Sequence, residues 1–195
     1  MKRIFTLTLI VTLFSTAAYT QTKKDWYIIG GQISNIDLNF QKGNTSFSFD
    51  LTPRVAWFIA DDFALGAEVL FGLQTGDGFT TINYGVGPVA RYYLKKRALT
   101  DVKKTRWFVD GNVGIYGSNK KVSGSGSTNT NGLGIGLGPG IAYFLNENIA
   151  LEALAKYNLT VGFGNATTNN SLNIGIGFQI HLPKSKLRAM RKDIN

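Results

Sequence analysis

Hydrophobic and polar residues alternate strictly near the end of the chain. In residues 171–182, SLNIGIGFQIHL, every even position is a large apolar residue and every odd position is polar or glycine. Successive side chains of a β-strand point to opposite faces, whereas a helix would scatter these residues around its axis. The segment is therefore predicted to be a strand with one wholly apolar face.

The same alternation recurs along the chain and predicts eight strands, at 26–40, 47–59, 63–74, 79–94, 106–118, 132–145, 149–161 and 171–182. Tight turns at 60–62 and 146–148 alternate with loops rich in Gly, Asn, Ser and Thr at 41–45, 75–78, 118–131 and 162–170. The connection 95–105 is long although it falls on the side of the tight turns. No linker interrupts the pattern, so we predict one domain over residues 21–183, followed by a basic tail at 184–195.

The faces opposite the apolar ones hold glycines and seven charged residues of the predicted strands, namely Asp50, Arg54, Glu68, Arg91, Asp110, Glu152 and Lys156. A soluble barrel or sandwich would bury its apolar face, whereas a transmembrane barrel turns that face to lipid and keeps a polar lumen. Each strand reaches the roughly 9–11 tilted residues that a bilayer requires, and a closed barrel satisfies every backbone group in lipid. We predict an all-β, eight-stranded, antiparallel up-and-down transmembrane barrel with both termini in the periplasm.

Aromatic residues gather at the predicted periplasmic ends of the strands. All three tryptophans, Trp26, Trp57 and Trp107, lie there. Such rings settle at the boundary between lipid headgroups and hydrocarbon. We expect an aromatic belt that also includes Tyr27, Tyr92, Tyr93, Tyr143 and Phe144.

Residues 1–20 have the composition of a secretory signal peptide. Lys2 and Arg3 precede a short apolar run that ends in small residues, and cleavage after Ala18 or Thr20 fits the pattern. The run is too short for the roughly 20 residues of a spanning helix.

Two segments, FDLTPRVAWFIADDFALGAEVLFG and YGVGPVARYYL, resemble small outer-membrane β-barrel proteins of the OmpX/OmpA-type and "porin family" group, as in Bacteroidetes-like bacteria. The resemblance implies an eight-stranded barrel in the outer membrane of a Gram-negative bacterium, without a single activity, since members serve as adhesins, envelope anchors or small channels. It also implies contact with outer-membrane lipid and with the barrel-assembly machinery. Such chains often end on the aromatic residue of the last strand, whereas here a basic tail follows Leu182.

The composition offers few candidate catalytic or metal-binding residues. The chain has no cysteine and a single histidine, His181, which argues against a thiolate or histidine metal site. Ser171 is ten residues from His181 on the same strand, too far for a nucleophile and its base. We read His181 as an interfacial polar residue, and Glu68 and Glu152 as members of lumenal charge pairs. We expect no enzyme activity, cofactor, metal or nucleic-acid partner.

The turn at 60–62 predicts that Ile59 faces Phe63, which places Arg54 directly across from Glu68. We therefore expect an Arg54–Glu68 pair in a lumen filled by side chains, because eight strands leave only enough room for these. The function expected is a structural or surface-interaction role, such as adhesion, for a monomer. The alternative is a narrow channel for small or hydrophobic solutes.

Two sets of basic residues remain as candidate contact sites. Lys120 and Lys121 lie in the longest predicted outer loop, 118–131, which has too few apolar residues to fold alone. The net charge of +9 comes mainly from basic residues at the predicted periplasmic rim. These residues are expected to bind anionic phospholipid or cell wall. The alternative is that they only keep the turn and the tail soluble. The residues of the rim are Lys95, Lys96, Arg97, Lys103, Lys104, Arg106, Lys184, Lys186, Arg188, Arg191 and Lys192.

Overall fold

The computed structural model describes residues 21–41, 44–95, 104–164 and 168–187. The predicted signal peptide therefore lies outside the described residues. So do six members of the predicted basic rim, namely Lys96, Arg97, Lys103, Arg188, Arg191 and Lys192.

Eight antiparallel strands form a closed barrel in which each strand pairs with its neighbours in the sequence and β1 closes on β8. This confirms the predicted fold class. The strands are β1 Trp26–Gln41, β2 Asn44–Ala60, β3 Phe63–Gly76, β4 Phe79–Tyr93, β5 Thr105–Val122, β6 Gly126–Phe144, β7 Ile149–Gly162 and β8 Asn169–Pro183. Among the described residues, no helix has the length and apolar character needed to cross a membrane.

The two ends of the barrel differ. The terminal end carries residues 21–25, the start of the tail and the connections β2–β3, β4–β5 and β6–β7. The loop end carries the connections β1–β2, β3–β4, β5–β6 and β7–β8. Outward side chains along the strands are mostly large, apolar and exposed, and they form a continuous apolar outer surface.

The predicted loop 118–131 is wrong, because most of it continues the β5–β6 hairpin. Lys120 pairs with Thr128 and Val122 pairs with Gly126, so only three residues turn the chain. Gly126, at the end of that turn, has a φ of +85°, a conformation that favours glycine. Backbone hydrogen bonding thus orders this polar segment without an apolar core.

The turn between β2 and β3 differs by one residue from the prediction. Ala60, not Ile59, lies opposite Phe63, because the register shifts between Phe58 and Ala60. The shift is confined to the turn, and Arg54 still lies directly across from Glu68.

Glycine at inward positions lets neighbouring strands approach closely. A Cβ atom built on Gly138 would collide with the backbone oxygen of Ala155 on the adjacent β7. The narrow barrel therefore needs a residue without a side chain at this point.

Candidate functional site

Asp110 on β5 is the centre of a buried ion-pair network inside the barrel. Its Oδ2 lies 2.7 Å from Nη1 of Arg54 and 2.9 Å from Nε of Arg91, and its Oδ1 lies 2.8 Å from Nζ of Lys156. Asp110 is completely buried. Three cations from β2, β4 and β7 thus converge on one carboxylate.

Two glutamates complete the network. Glu68 Oε2 lies 2.8 Å from Nη2 of Arg54, which is the predicted pair, and its Oε1 lies 3.7 Å from Nζ of Lys156. Arg91 Nη1 donates to both oxygens of Glu152 at 2.7 and 2.8 Å. The three cations and three anions balance, which is what a buried set of charges requires.

Asp50 stands apart from this network, although we expected it to belong. Its carboxylate accepts hydrogen bonds from the amides of Asn35 and Asn83, and no salt bridge to Asp50 is present within the described residues. It lies four residues closer to the loop end than Arg54 on the same face of β2.

A cluster of buried aromatic side chains, here called the aromatic plug, lies inside the barrel between the network and the terminal end. The Tyr93 ring lies 5.9 Å from Phe58 and 5.5 Å from Phe108, measured between centroids, and Phe144 lies 5.1 Å from His181. The guanidinium carbon of Arg91 sits 4.0 Å above the centre of the Phe108 ring and joins the plug to the network.

Sequence reasoning missed this plug and misplaced three of its members. Tyr93 and Phe144 point inward instead of forming part of the belt, and His181 is fully buried instead of interfacial. Its Nε2 lies 3.2 Å from the Tyr93 hydroxyl. The available signal is four aromatic doublets, in which one ring faces outward and the next faces inward, namely Trp57-Phe58, Tyr92-Tyr93, Trp107-Phe108 and Tyr143-Phe144.

Residues 21–25 fold across the terminal end. The Thr22 hydroxyl donates to Oδ1 of Asp62 at 2.6 Å, and the Asp62 backbone N–H donates to the Thr22 carbonyl at 2.7 Å. Arg106 Nη2 donates to the same Asp62 oxygen at 2.8 Å. The assignment of Arg106 to the exposed rim is therefore wrong. It is buried because its even-numbered position on β5 shares the inward face with Phe108 and Asp110.

The described remainder of the basic rim is exposed. Lys95 and Lys104 flank the β4–β5 connection. Lys184 and Lys186 lie in a single helical turn at 184–187, where Lys184 pairs with Asp25 at 3.2 Å and Lys186 donates to Asn148 at 3.0 Å.

A polar cavity of about 400 Å³ occupies the lumen between the network and the loop end. Arg54, Glu68 and Lys156 form its floor, and asparagine, serine and threonine side chains dominate its walls, together with Tyr84 and Tyr116.

Lys120 and Lys121 lie near the tip of the β5–β6 hairpin and are exposed. The Lys120 ammonium is 5.9 Å from the centre of the Phe79 ring.

Within the described part of the chain, no group of three or more His, Asp or Glu residues could hold a metal ion. Glu68 and Glu152 belong to separate ion pairs, and Ser171 and His181 lie at opposite ends of β8.

The decisive comparison is with protein families. The family model described as "Outer membrane protein beta-barrel domain" matches residues 6–181. This chain belongs to that family. It is therefore an outer-membrane protein of a Gram-negative bacterium, and its apolar outer surface contacts lipid. The bacterial group within the Gram-negative organisms stays a prediction. No curated protein matches the chain.

Solved structures share the fold at low sequence identity. Neisserial surface protein A matches with a TM-score of 0.57 and 13% identity, covering 80% of this chain and 97% of that chain. The N-terminal β-barrel domain of Pseudomonas aeruginosa OprF matches with a TM-score of 0.51 and 13% identity, covering 82% and 98%. Ail, the attachment invasion locus protein of Yersinia pestis, has a TM-score of 0.48 and 11% identity, covering 82% and 99%.

An even number of strands places both termini at the same end of the barrel, and in outer-membrane barrels this is the periplasmic end. The terminal end therefore stays the predicted periplasmic end, and the polar cavity is predicted to face the cell exterior.

Proposed function

We propose that this chain is a non-enzymatic integral outer-membrane protein whose lumen is closed to solutes and which acts at the cell surface in a structural or adhesive role. The proposal is supported chiefly by the ion-pair network, which spans the lumen between strands that are not neighbours. Arg54–Asp110 joins β2 to β5, and Arg91–Glu152 joins β4 to β7. We expect this layer and the aromatic plug beneath it to close the path between the cavity and the periplasm.

Conduction tests the closed lumen. In planar bilayers the purified protein should give no steady ion current, because ions would have to break buried ion pairs and pass the plug. The double variant Arg54→Ala/Arg91→Ala, which removes both guanidinium groups, serves as the opened comparison. A steady, large conductance of the unaltered protein would favour the alternative function, a narrow channel. Uptake of small or hydrophobic solutes by proteoliposomes would support the same alternative.

The surface role is assigned to the β5–β6 hairpin. Its strands have 18 and 19 residues, longer than any other strand described, so the hairpin projects furthest from the membrane. Its tip combines exposed Lys120 and Lys121 with small polar residues. We expect these ammonium groups to contact anionic groups on the bound surface.

Shortening this hairpin should abolish adhesion and leave the barrel folded. Deleting 118–121 together with 127–130 removes four paired positions on each strand, so the register and the turn at 122–126 persist. Cells displaying the protein would be scored for attachment to host-cell or glycan surfaces. Lys120→Glu/Lys121→Glu isolates the charge, and Lys23→Glu/Lys24→Glu at the other end is the matched control. Unchanged attachment by the shortened protein would contradict the adhesive role.

The exposed part of the basic rim is proposed to hold anionic phospholipid headgroups or acidic cell-wall groups. Each Lys or Arg near an anionic surface contributes about 1 kcal/mol, and salt screens this contribution. The partners proposed are thus outer-membrane lipid, the rim's anionic surface and, during biogenesis, the barrel-assembly machinery, with the mature protein acting as a monomer.

The rim is tested in neutral phosphatidylcholine nanodiscs. Truncation after Pro183 combined with Lys95→Glu and Lys104→Glu should weaken binding to anionic vesicles and to cell-wall sacculi at low salt by about tenfold or more. Lys120→Glu/Lys121→Glu is the control with charges reversed at the other end. Equal affinity of the truncated and intact proteins for both surfaces would show that the rim only aids solubility.

A further inference from the structure

The wall of the barrel is split at the cell-surface end between β1 and β8. The ladder between these strands runs from Trp26–Pro183 to Ser34–Gly175 and stops there. Both strands continue beyond it, β1 over residues 35–41 and β8 over residues 169–174. In these stretches β1 pairs with β2 and β8 with β7, and the facing edges of β1 and β8 have no ladder between them.

This seam differs from the other seven. At each of those, within the strands described, the ladder reaches the loop-side end of at least one of the two strands. β5 and β6 pair up to Val122–Gly126, and β7 and β8 pair up to Thr160–Asn169. The split is therefore a local feature of the β1–β8 wall and does not reflect short strands.

A bulge in β1 accounts for the split. Between the pairs Ser34–Asp50 and Asp37–Ser48, β1 contains one residue more than β2, and Asn35 adopts a φ of +52°. An extra residue kinks a strand and exchanges its two faces. If the β1–β8 register continued past Ser34, outward side chains of β1 would stand opposite inward side chains of β8.

The two sides of the split differ in polarity. The outward side chains along its edges are apolar and exposed, namely Ile36, Leu38, Leu172 and Ile174. Inside it lies the polar cavity, whose wall here includes Asn35, Asn169, Ser171 and Asn173. The split thus lies between a polar chamber and an apolar surface.

The depth of the split places it in the outer leaflet. The apolar band of such barrels is about 25 Å tall, and tilted strands rise about 2.5 Å per residue along the membrane normal. Counted from Trp26, the band ends near residue 36, so the split opens in its uppermost part. Unpaired backbone groups at this depth need a polar partner, because lipid offers none.

We propose that the cavity and the split together bind an amphiphile with an uncharged, hydroxyl-rich head and an apolar chain. The head occupies the cavity and satisfies the strand edges, and the chain leaves through the lower part of the split along Ile36 and Ile174. A polyhydroxy head suits the walls, because asparagine, serine and threonine both donate and accept hydrogen bonds. The floor cations Arg54 and Lys156 pair with Glu68 and Asp110, so an anionic head finds no free cation there, and the Asp50 carboxylate higher in the wall already accepts hydrogen bonds from asparagine side chains. In this proposal the site has no exit toward the periplasm. The proposal does not depend on the adhesive role.

The chain has no cysteine, so two introduced cysteines would be its only thiols and could be oxidised to a disulfide across the split. The double variant Leu38→Cys/Leu172→Cys places one thiol on each outward edge of the split. The variant is folded and inserted into nanodiscs under reducing conditions, and the disulfide is then formed by oxidation. NMR of the protein in phosphatidylcholine nanodiscs would follow the side-chain amides of Asn83 and Asn131 in the cavity wall. The probes are dodecyl maltoside, dodecylphosphocholine with the same chain but a zwitterionic head, and maltose with no chain.

Dodecyl maltoside should shift these amide signals saturably. The oxidised variant should bind it about tenfold or more weakly than the same variant after reduction. Deletion of Asn35, which removes the bulge, should weaken binding similarly without a disulfide. Equal binding of maltose alone would identify a soluble saccharide site and overturn the role of the split. Equal binding of dodecylphosphocholine would overturn the choice of head. Strong protection of the backbone amides of 35–41 and 169–174 without any probe would show that the edges already pair, with each other or with a peptide strand, and would also overturn the proposal.

Discussion

Replacing Asp110 by asparagine should lower the free energy of unfolding by about 3–5 kcal/mol. Asparagine keeps the shape of the side chain but removes the negative charge on which Arg54, Arg91 and Lys156 converge. The three buried cations would then share two glutamates, and an uncompensated positive charge would remain away from water.

Urea-induced unfolding in phospholipid vesicles measures this loss. Asp37→Asn, at an exposed position on β1, is the matched control and should change stability by less than about 0.5 kcal/mol. Glu68→Ala also leaves one buried positive charge uncompensated, but Arg54 and Lys156 both retain Asp110 as a partner, so the loss should lie at the lower end, about 3 kcal/mol. Equal effects of Asp110→Asn and Asp37→Asn would contradict the central role of Asp110.

The second large loss is expected from Tyr93→Ala, at about 3–5 kcal/mol. Tyr93 is fully buried between Phe58, Phe108 and His181, so its removal empties the centre of the plug. Tyr93→Phe keeps the ring and loses only the hydroxyl, which lies 3.2 Å from both Arg91 Nη1 and His181 Nε2. That variant should cost about 1 kcal/mol.

The same unfolding experiment separates packing from hydrogen bonding at this position. Tyr92→Ala provides the control, since Tyr92 is the neighbouring ring on the outward face and is 41% exposed. If Tyr93→Ala were no more damaging than Tyr92→Ala, the inward aromatic rings would not act as a packed plug.

The outer surface was predictable because lipid imposes a simple rule on it. Every outward position in a span must be apolar, so alternation alone identifies Phe47, Val55, Val113 and Ile176 as lipid-facing. The pairing of Arg54 with Glu68 was predictable because a short turn limits the possible registers of a hairpin, and because the shift beside Ala60 is confined to the turn, so the pairs beyond it keep the predicted register.

The interior was less predictable because two different layers share one face of each strand. Asp110 and Phe108 both point inward from β5, and alternation gives no reason why one level is charged and the next aromatic. The convergence on Asp110 also depends on strands that are distant in the sequence, which no single hairpin register reveals. Arg106 shows the converse error, since its parity on β5 indicates an inward position whereas its place beside a long turn suggested the surface.

The closing seam between β1 and β8 also bears on how the barrel assembles. Seven of the eight seams join strands adjacent in the sequence, so each hairpin closes a short loop at little entropic cost. Only the ladder between β1 and β8, which begins at Trp26–Pro183, joins strands that are distant in the sequence. The ion pairs across the lumen, such as Arg91–Glu152, come within reach only when this ring closes. We therefore expect closure to form the ion pairs across the lumen in one cooperative step, whereas pairs between neighbouring strands, such as Arg54–Glu68, can form earlier.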